Sequence, residues 1–281
     1  MDEIREWVEG SPYSQFLGIR LEHLDDTSAR LVLPYRDENS NPGKALHGGC
    51  AASLGAIGGQ AVARAALGPG SGPWHTAQMQ VSYLAAAIGE EIVAEAQLLR
   101  RGKQLCFVSI DVTNREGKPI ASITTTVRGR MGAEPAELGG ATSDHGESDP
   151  GVMGPHIGKI PFIGNRGIRV EHMTGGTSRL VMPFGDGNAD LSGGVHEGAV
   201  LALLDTTGAM GSWAESGPGP YKASTASMQI QNLAPVPKAD LVAYGRCVQR
   251  DNEIFWTDVE VARADNGRVV SRGTVLYRIV T

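Results

Sequence analysis

The chain has 281 residues and is poor in several things. It has three cysteines, Cys50, Cys106 and Cys247, far apart and odd in number. They form no disulfide framework and no metal-ligand spacing, and they fit a reduced cytoplasm. No run of Lys and Arg occurs and the formal net charge is −6, so the footprint of a nucleic-acid binder is missing. The longest run free of Asp, Glu, Lys, Arg and His, GGCAASLGAIGGQAVA from Gly48, is too short and too weakly apolar to span a bilayer. The opening MDEIREWVEG lacks the basic-then-apolar order of a secretory leader. Aromatic residues make up 5%, and spacing alone does not place Trp74 or Trp213 in a pocket. These absences predict a soluble cytoplasmic protein with no nucleic-acid and no membrane partner.

What is present is a repeat. GIRLEHLDDTSARLVLPY starts at Gly18 and GIRVEHMTGGTSRLVMPF at Gly167. Nine of eighteen positions are identical at an offset of 149. The same offset carries His47 to His196, Gly49 to Gly198, Thr76 to Thr225 and Met79 to Met228. The hydrophobic fraction of 41% and the length suit two cores of about 100–150 residues each.

Between the copies, GAEPAELGGATSDHGESDPGVMGP is rich in Gly, Pro, Ser and acidic residues and has no apolar period. It reads as a linker, at least partly flexible. The expected division is 1–131 for the first domain, 132–155 for the linker and 156–281 for the second domain. Each copy reads as a short helix or turn, two alternating strands, a Gly/Pro/Asn loop, a long small-residue helix and three or four strands. In copy one the strands fall near 19–23, 29–33, 78–83, 92–100, 106–113 and 121–128. This order predicts an α+β fold in which an antiparallel sheet curls around one buried helix.

The helix of copy two raises a question. In SGGVHEGAVLALLDTT, Asp205 stands beside Leu203 and Leu204. A buried, unpaired carboxylate is costly. Asp205 therefore lies either on a solvent-facing stripe or against a site.

The segment from Asn41 to Gly49 ends in His47-Gly48-Gly49 and opens the first long helix. Asp190 to Gly198 ends in His196-Glu197-Gly198 and opens the second. With the strand order, these turns resemble the hotdog-fold acyl-CoA thioesterases, in particular the phenylacetate-degradation (PaaI-like) and 4-hydroxybenzoyl-CoA thioesterase branch. The resemblance covers both copies and not the linker. It implies two tandem hotdog domains paired as an intrachain pseudo-dimer. Each family site is built across a dimer seam: one subunit gives an Asn and the HGG turn, the other an acid nine residues after its own His. Copy one keeps Asn41, His47, Gly48 and Gly49 but has Ala56 at the acid's place. Copy two keeps Asp205 but has Asp190 for the Asn and Glu197 in the turn. The losses are complementary, so the resemblance implies one complete composite site. A degenerate one would hold Asp190, His196, Glu197, Gly198 and Ala56.

The implied chemistry is thioester hydrolysis. The Gly48 N–H, at a helix N-terminus, would take the developing oxyanion. Asp205 would act as general base on water or as nucleophile. Asn41 would hold the water or the turn, His47 would order the turn, and Thr225 would assist Asp205. Glu197 is most simply a favourable charge on the helix dipole. The basic hairpin of Arg100, Arg101 and Lys103 is either a solvated turn or a contact for coenzyme A phosphates. No metal or redox cofactor is implied. The one implied small-molecule partner is the acyl-CoA, and hotdog dimers often pair again, which implies a homodimer of chains. Two other readings are a hotdog hydratase or dehydratase and a non-catalytic acyl-CoA-binding protein.

Overall fold

The computed structural model describes residues 1–129, 137–143 and 146–280. Copy one comprises α1 (Asp2–Gly10), α2 (Pro12–Leu17), β1 (Arg20–Leu24), β2 (Ser28–Leu33), α3 (Gly48–Leu67), β3 (Trp74–Tyr83), β4 (Ile92–Arg101), β5 (Leu105–Asn114) and β6 (Pro119–Gly129). Copy two comprises α4 (Gly154–Ile157), α5 (Pro161–Asn165), β7 (Arg169–Thr174), β8 (Thr177–Met182), α6 (Glu197–Ser216), β9 (Lys222–Asn232), β10 (Leu241–Asp251), β11 (Ile254–Arg263) and β12 (Val269–Val280). The strands stand where alternation puts them: β5 buries Cys106, Val108, Ile110 and Val112 and turns the residues between outward.

The twelve described strands form one antiparallel sheet in the order β1-β2-β4-β5-β6-β3-β9-β12-β11-β10-β8-β7. The two copies join at β3 and β9. There Gln80 pairs with Gln229, its own counterpart at the repeat offset. A pseudo-twofold axis therefore passes between them, and the chain is a tandem hotdog closed on itself as a pseudo-dimer. Local irregularities repeat as well. The β-bulges at Leu21/His23 and Leu98/Arg100 recur at Val170/His172 and Cys247/Gln249.

Each half of the sheet wraps its own long helix, and the helices must be thin to fit. A methyl group at Gly59 would stand 2.5 Å from Thr125 Oγ1 on β6, and one at the equivalent Gly208 would stand 2.4 Å from Val275 on β12. Among the described residues, no helix is long and apolar enough to cross a membrane.

The expected boundary near 131 lies outside the described residues. Further along, the linker is tied to copy two. Thr142 donates its N–H and hydroxyl to Glu260, and Gly140 pairs with Arg268. Ser148 bonds the Glu171 carbonyl, and Met173 N–H bonds the Asp149 carbonyl. A polar segment of this kind carries its own donors and acceptors to free backbone and to an exposed carboxylate.

Candidate active site

Both long helices begin at a histidine. The His47 ring accepts the Gly49 N–H on Nδ1 at 2.9 Å, and His196 does the same for Gly198 at 2.9 Å. Each imidazole is an N-cap, filling a role more often played by Ser or Asp. With Nδ1 as acceptor, the ring proton sits on Nε2.

The rings are held by the opposite copy. Phe162 of α5 stacks on His47 at 4.3 Å between centres, and Tyr13 of α2 stacks on His196 at 4.7 Å. Phe162 and Tyr13 are equivalent at the repeat offset, so each copy's short helix backs the other copy's turn. Burial pushes the His47 imidazole down to about 3, with the Arg166 charge adding to the shift; burial pushes His196 down to about 4, opposed by Asp190 and aided by Arg64 and Arg166. Both rings are neutral at pH 7.

At the first turn the two copies meet. Asp205 on α6 is 3% exposed. Its Oδ1 accepts the Thr225 hydroxyl at 2.7 Å. Its Oδ2 lies 3.8 Å from His47 Nδ1. That contact is no ion pair, because the ring is neutral and its Nδ1 lone pair is already used by Gly49. Burial raises the Asp205 carboxyl to about 6, and the Thr225 hydrogen bond opposes the rise. Desolvation wins because one hydroxyl cannot replace the lost water.

Gly48 is the floor of this grouping. A methyl group on its Cα would stand 3.0 Å from Asp205 Oδ2 and 3.3 Å from the Tyr83 ring. Its N–H belongs to the first turn of α3 and has no acceptor among the described residues. Tyr83, half-buried, donates its hydroxyl to the Gly48 carbonyl at 3.0 Å. Sequence reasoning missed this residue: a tyrosine at a strand end carries no motif, and the equivalent position in copy two is Asn232. Asn41 starts the loop into the turn. Its N–H bonds the Ala45 carbonyl at 2.7 Å, and its half-buried amide side chain makes no hydrogen bond among the described residues.

The second turn is built differently. Glu197 takes the place of Gly48, and its carboxylate accepts the Thr76 N–H at 2.9 Å. Gln60 also bonds it, and Arg64 stands close by. Arg64 donates to Gln60 at 2.8 Å and lies over the Trp7 ring at 3.6 Å. Asp190 accepts the Trp7 indole N–H at 2.8 Å. Ala56, 1% exposed, offers no acid. Glu197 is thus more than a charge on a helix end. Its side chain occupies the position that is a bare glycine at the first turn.

The basic hairpin does not join the first turn. Across the sheet, Thr76 pairs with Val127, Val127 with Cys106, and Cys106 with Arg101. Arg100, Arg101 and Lys103 therefore flank the second turn. The matching row from Thr225 runs through Tyr277 and Phe255 to Arg250. Each hairpin thus lies on the row of its own copy's threonine, Thr76 in copy one and Thr225 in copy two. Among the described residues, no group of three or more His, Cys, Asp or Glu side chains could hold a metal ion.

Residues 6–128 match the family model of a domain of unknown function, DUF4442, and residues 192–270 match that of the thioesterase superfamily. A Halobacterium salinarum protein assigned as an esterase is 33% identical over 131 residues, which cover 45% of this chain and 86% of that protein. Acyl-coenzyme A thioesterase 13 of Mus musculus is 39% identical over 88 residues, 30% of this chain. The chain spans 61% of that mouse protein's length. Among solved structures, a protein from Novosphingobium aromaticivorans assigned as a thioesterase superposes with a TM-score of 0.70 at 15% identity, over 93% of this chain and 98% of that one. A protein with hot dog fold from Alicyclobacillus acidocaldarius gives 0.65 at 17% identity, over 93% and 96%. At these identities the structural likeness is one of fold, and it runs through both copies.

Proposed function

The chain belongs to the thioesterase superfamily, and on that premise we propose that it hydrolyses an acyl-CoA thioester at one composite site, made by the Gly48 turn of copy one and Asp205 of copy two. The observation that carries this reading is the buried carboxylate of Asp205 set against a helix-terminal glycine whose N–H has no acceptor among the described residues. The mouse relative, by its name an acyl-CoA thioesterase, supports the substrate class. The complementary losses follow the plan of the phenylacetate-degradation and 4-hydroxybenzoyl-CoA thioesterase branch.

In this scheme the thioester carbonyl oxygen lies on the Gly48 N–H, where the α3 dipole favours negative charge. Asp205, with its carboxyl at about 6, is mostly ionised at pH 7 yet basic enough to take a proton. It removes one proton from a water as the water oxygen bonds the carbonyl carbon. The tetrahedral intermediate collapses, the carbon–sulfur bond breaks, and the proton passes from Asp205 to the departing thiolate. The alternative is direct attack by Asp205, giving an anhydride that water then opens. Thr225 holds the carboxylate in either route, and Asn41 would orient water or the turn. On the row from Thr225, Arg250 takes over from Arg101 as the proposed contact for coenzyme A phosphates. No metal or redox cofactor enters these steps. Pairing of two chains and a cytoplasmic location belong to the same proposal; the three cysteines are unpaired.

The test is thiol release from short, long and aryl acyl-CoAs by wild type and Asp205→Asn. Wild type is expected to turn over at least one class, and the variant to lose about 10²–10³-fold or more in kcat. Equal rates from both proteins, or no release from any thioester, would sink the reading.

A further inference from the structure

Arg166 follows α5 and stands 149 residues after Leu17, so in copy one the same place in the core belongs to a leucine. Arg166 is 1% exposed. Its guanidinium carbon lies 3.9 Å from the centre of the Phe16 ring, 5.0 Å from Tyr13 and 5.4 Å from Phe162. Nη1 donates to the Gly187 carbonyl at 2.9 Å. Nε and Nη2 have no acceptor among the described residues, and no carboxylate there pairs with the charge.

A buried guanidinium without a counter-ion is costly. Three aromatic faces offset part of that cost. Leu17 shows that an apolar side chain serves this place in the fold equally well. Packing therefore does not explain the charge. Two rings of the cage lead to the two turns: Phe162 stacks on His47 and Tyr13 on His196.

We infer that Arg166 is a positioning residue of the proposed hydrolysis: its unneutralised charge, backed against the Phe162–His47 stack, holds the Gly48 turn in its anion-accepting form. The inference rests on the hydrolase reading of that site. His47 must keep a lone pair on Nδ1, because that lone pair fixes the Gly49 N–H and with it the first turn of α3. During turnover a proton from water arrives on Asp205, 3.8 Å from this nitrogen. A proton moving on to Nδ1 would break the cap. The Arg166 charge disfavours that transfer, so the proton stays on Asp205 until the thiolate takes it. The same charge favours an oxyanion at the turn. The titratable groups facing His47 are Arg166 beyond Phe162, Asp205 on α6 and Cys50 on α3, with Tyr83 of β3 beside Asp205.

The experiment compares wild type, Arg166→Leu and Arg166→Lys by thiol-release kinetics and by NMR titration of His47 without substrate. Arg166→Leu is expected to fold, to lose about tenfold in kcat with KM held within about twofold, and to titrate His47 at higher pH. Arg166→Lys keeps the charge and is expected to recover most of kcat and the wild-type titration. A Leu variant with wild-type kcat and an unmoved titration overturns the inference. So does equal loss in the Leu and Lys variants with no change at His47, which would mark a packing role. Absence of turnover in wild type would overturn the hydrolase reading instead. The His47 titration would then still decide whether Arg166 sets the state of the turn.

Discussion

Asp205 is held against its own stability. Its folded carboxyl is raised from 3.8 to about 6, so the native state binds the proton more tightly than the unfolded chain does. The stabilising share of this group is present below about pH 4 and is lost as pH rises through about 6. Above that the ionised carboxylate costs the fold about 2–3 kcal/mol. Asp205→Asn is therefore expected to raise stability by about that much at pH 8 and by little at pH 4, measured by urea unfolding at both values. The same ionisation should give kcat an acid limb near pH 6 in wild type. Gly48 carries a second prediction. A methyl group there would meet Asp205 at 3.0 Å and Tyr83 at 3.3 Å, both ends of side chains that can yield. Gly48→Ala is expected to leave thermal unfolding nearly unchanged and to cut kcat about 10²-fold, because the space it fills is where the thioester must lie. Unchanged kcat in Gly48→Ala would place the reaction elsewhere. At this scale the resemblance to the hotdog thioesterases, carried onto positions at fixed spacing, pointed to Asp205, Gly48, His47 and Thr225. It did not mark Tyr83 or Arg166, because neither belongs to a periodic pattern or a turn motif; tertiary packing gives them their partners, Gly48 for Tyr83 and, for Arg166, Gly187 and aromatic rings of both copies.

The long helices show the opposite balance of local and tertiary forces. Glycine weakens a helix by about 1 kcal/mol relative to alanine. At Gly59 and Gly208 the sheet decides instead, since a methyl group would stand 2.5 Å from Thr125 Oγ1 and 2.4 Å from Val275 Cγ2. Gly208→Ala should be destabilising by about 1–3 kcal/mol in spite of the better propensity, because Val275 is β-branched, fully buried and unable to yield. Gly59→Ala should cost less, since the added methyl would meet Thr125 at Oγ1 alone below 3.0 Å, whereas at Gly208 both Cγ2 and Cβ of Val275 lie within 2.5 Å. Urea midpoints of the two variants check both the sign and the order. A stabilised Gly208→Ala would mean that the helix sits further from β12 than the structure has it. The strands of copy one were legible from alternation; β1 keeps its expected length shifted by one residue, and β2 to β6 are longer by one to four residues in the sheet, where neighbours extend the ladder beyond the apolar run. The basic hairpin was legible as a hairpin but not as to its side, since the row linking Arg101 to Thr76 is a property of three strand pairings.

The molecule as a whole joins two unlike halves through β3 and β9, and the proposed site needs both. A pair of first copies would bring two intact turns and no acid at position 56. A pair of second copies would bring two acids and two turns filled by Glu197. Expressed separately, residues 1–131 and 132–281 are each expected to release no thiol from a substrate the full chain cleaves, and their mixture is expected to recover activity. Turnover by either half alone, measured in the same assay, would show that the composite site is not required. The sequence by itself determined the repeat, its offset and the order of strands and helices, and through the family resemblance it pointed to a complementary loss of turn and acid. Those are local matters, set by hydrophobic period, turn chemistry and residue identity at fixed spacing. Only the tertiary structure decided that Tyr13 and Phe162 cross over to back the opposite turns, that Glu197 fills the second one, and that a lone guanidinium lies behind both. Each of these depends on which surfaces meet when β3 pairs with β9, and that pairing brings together residues more than a hundred positions apart.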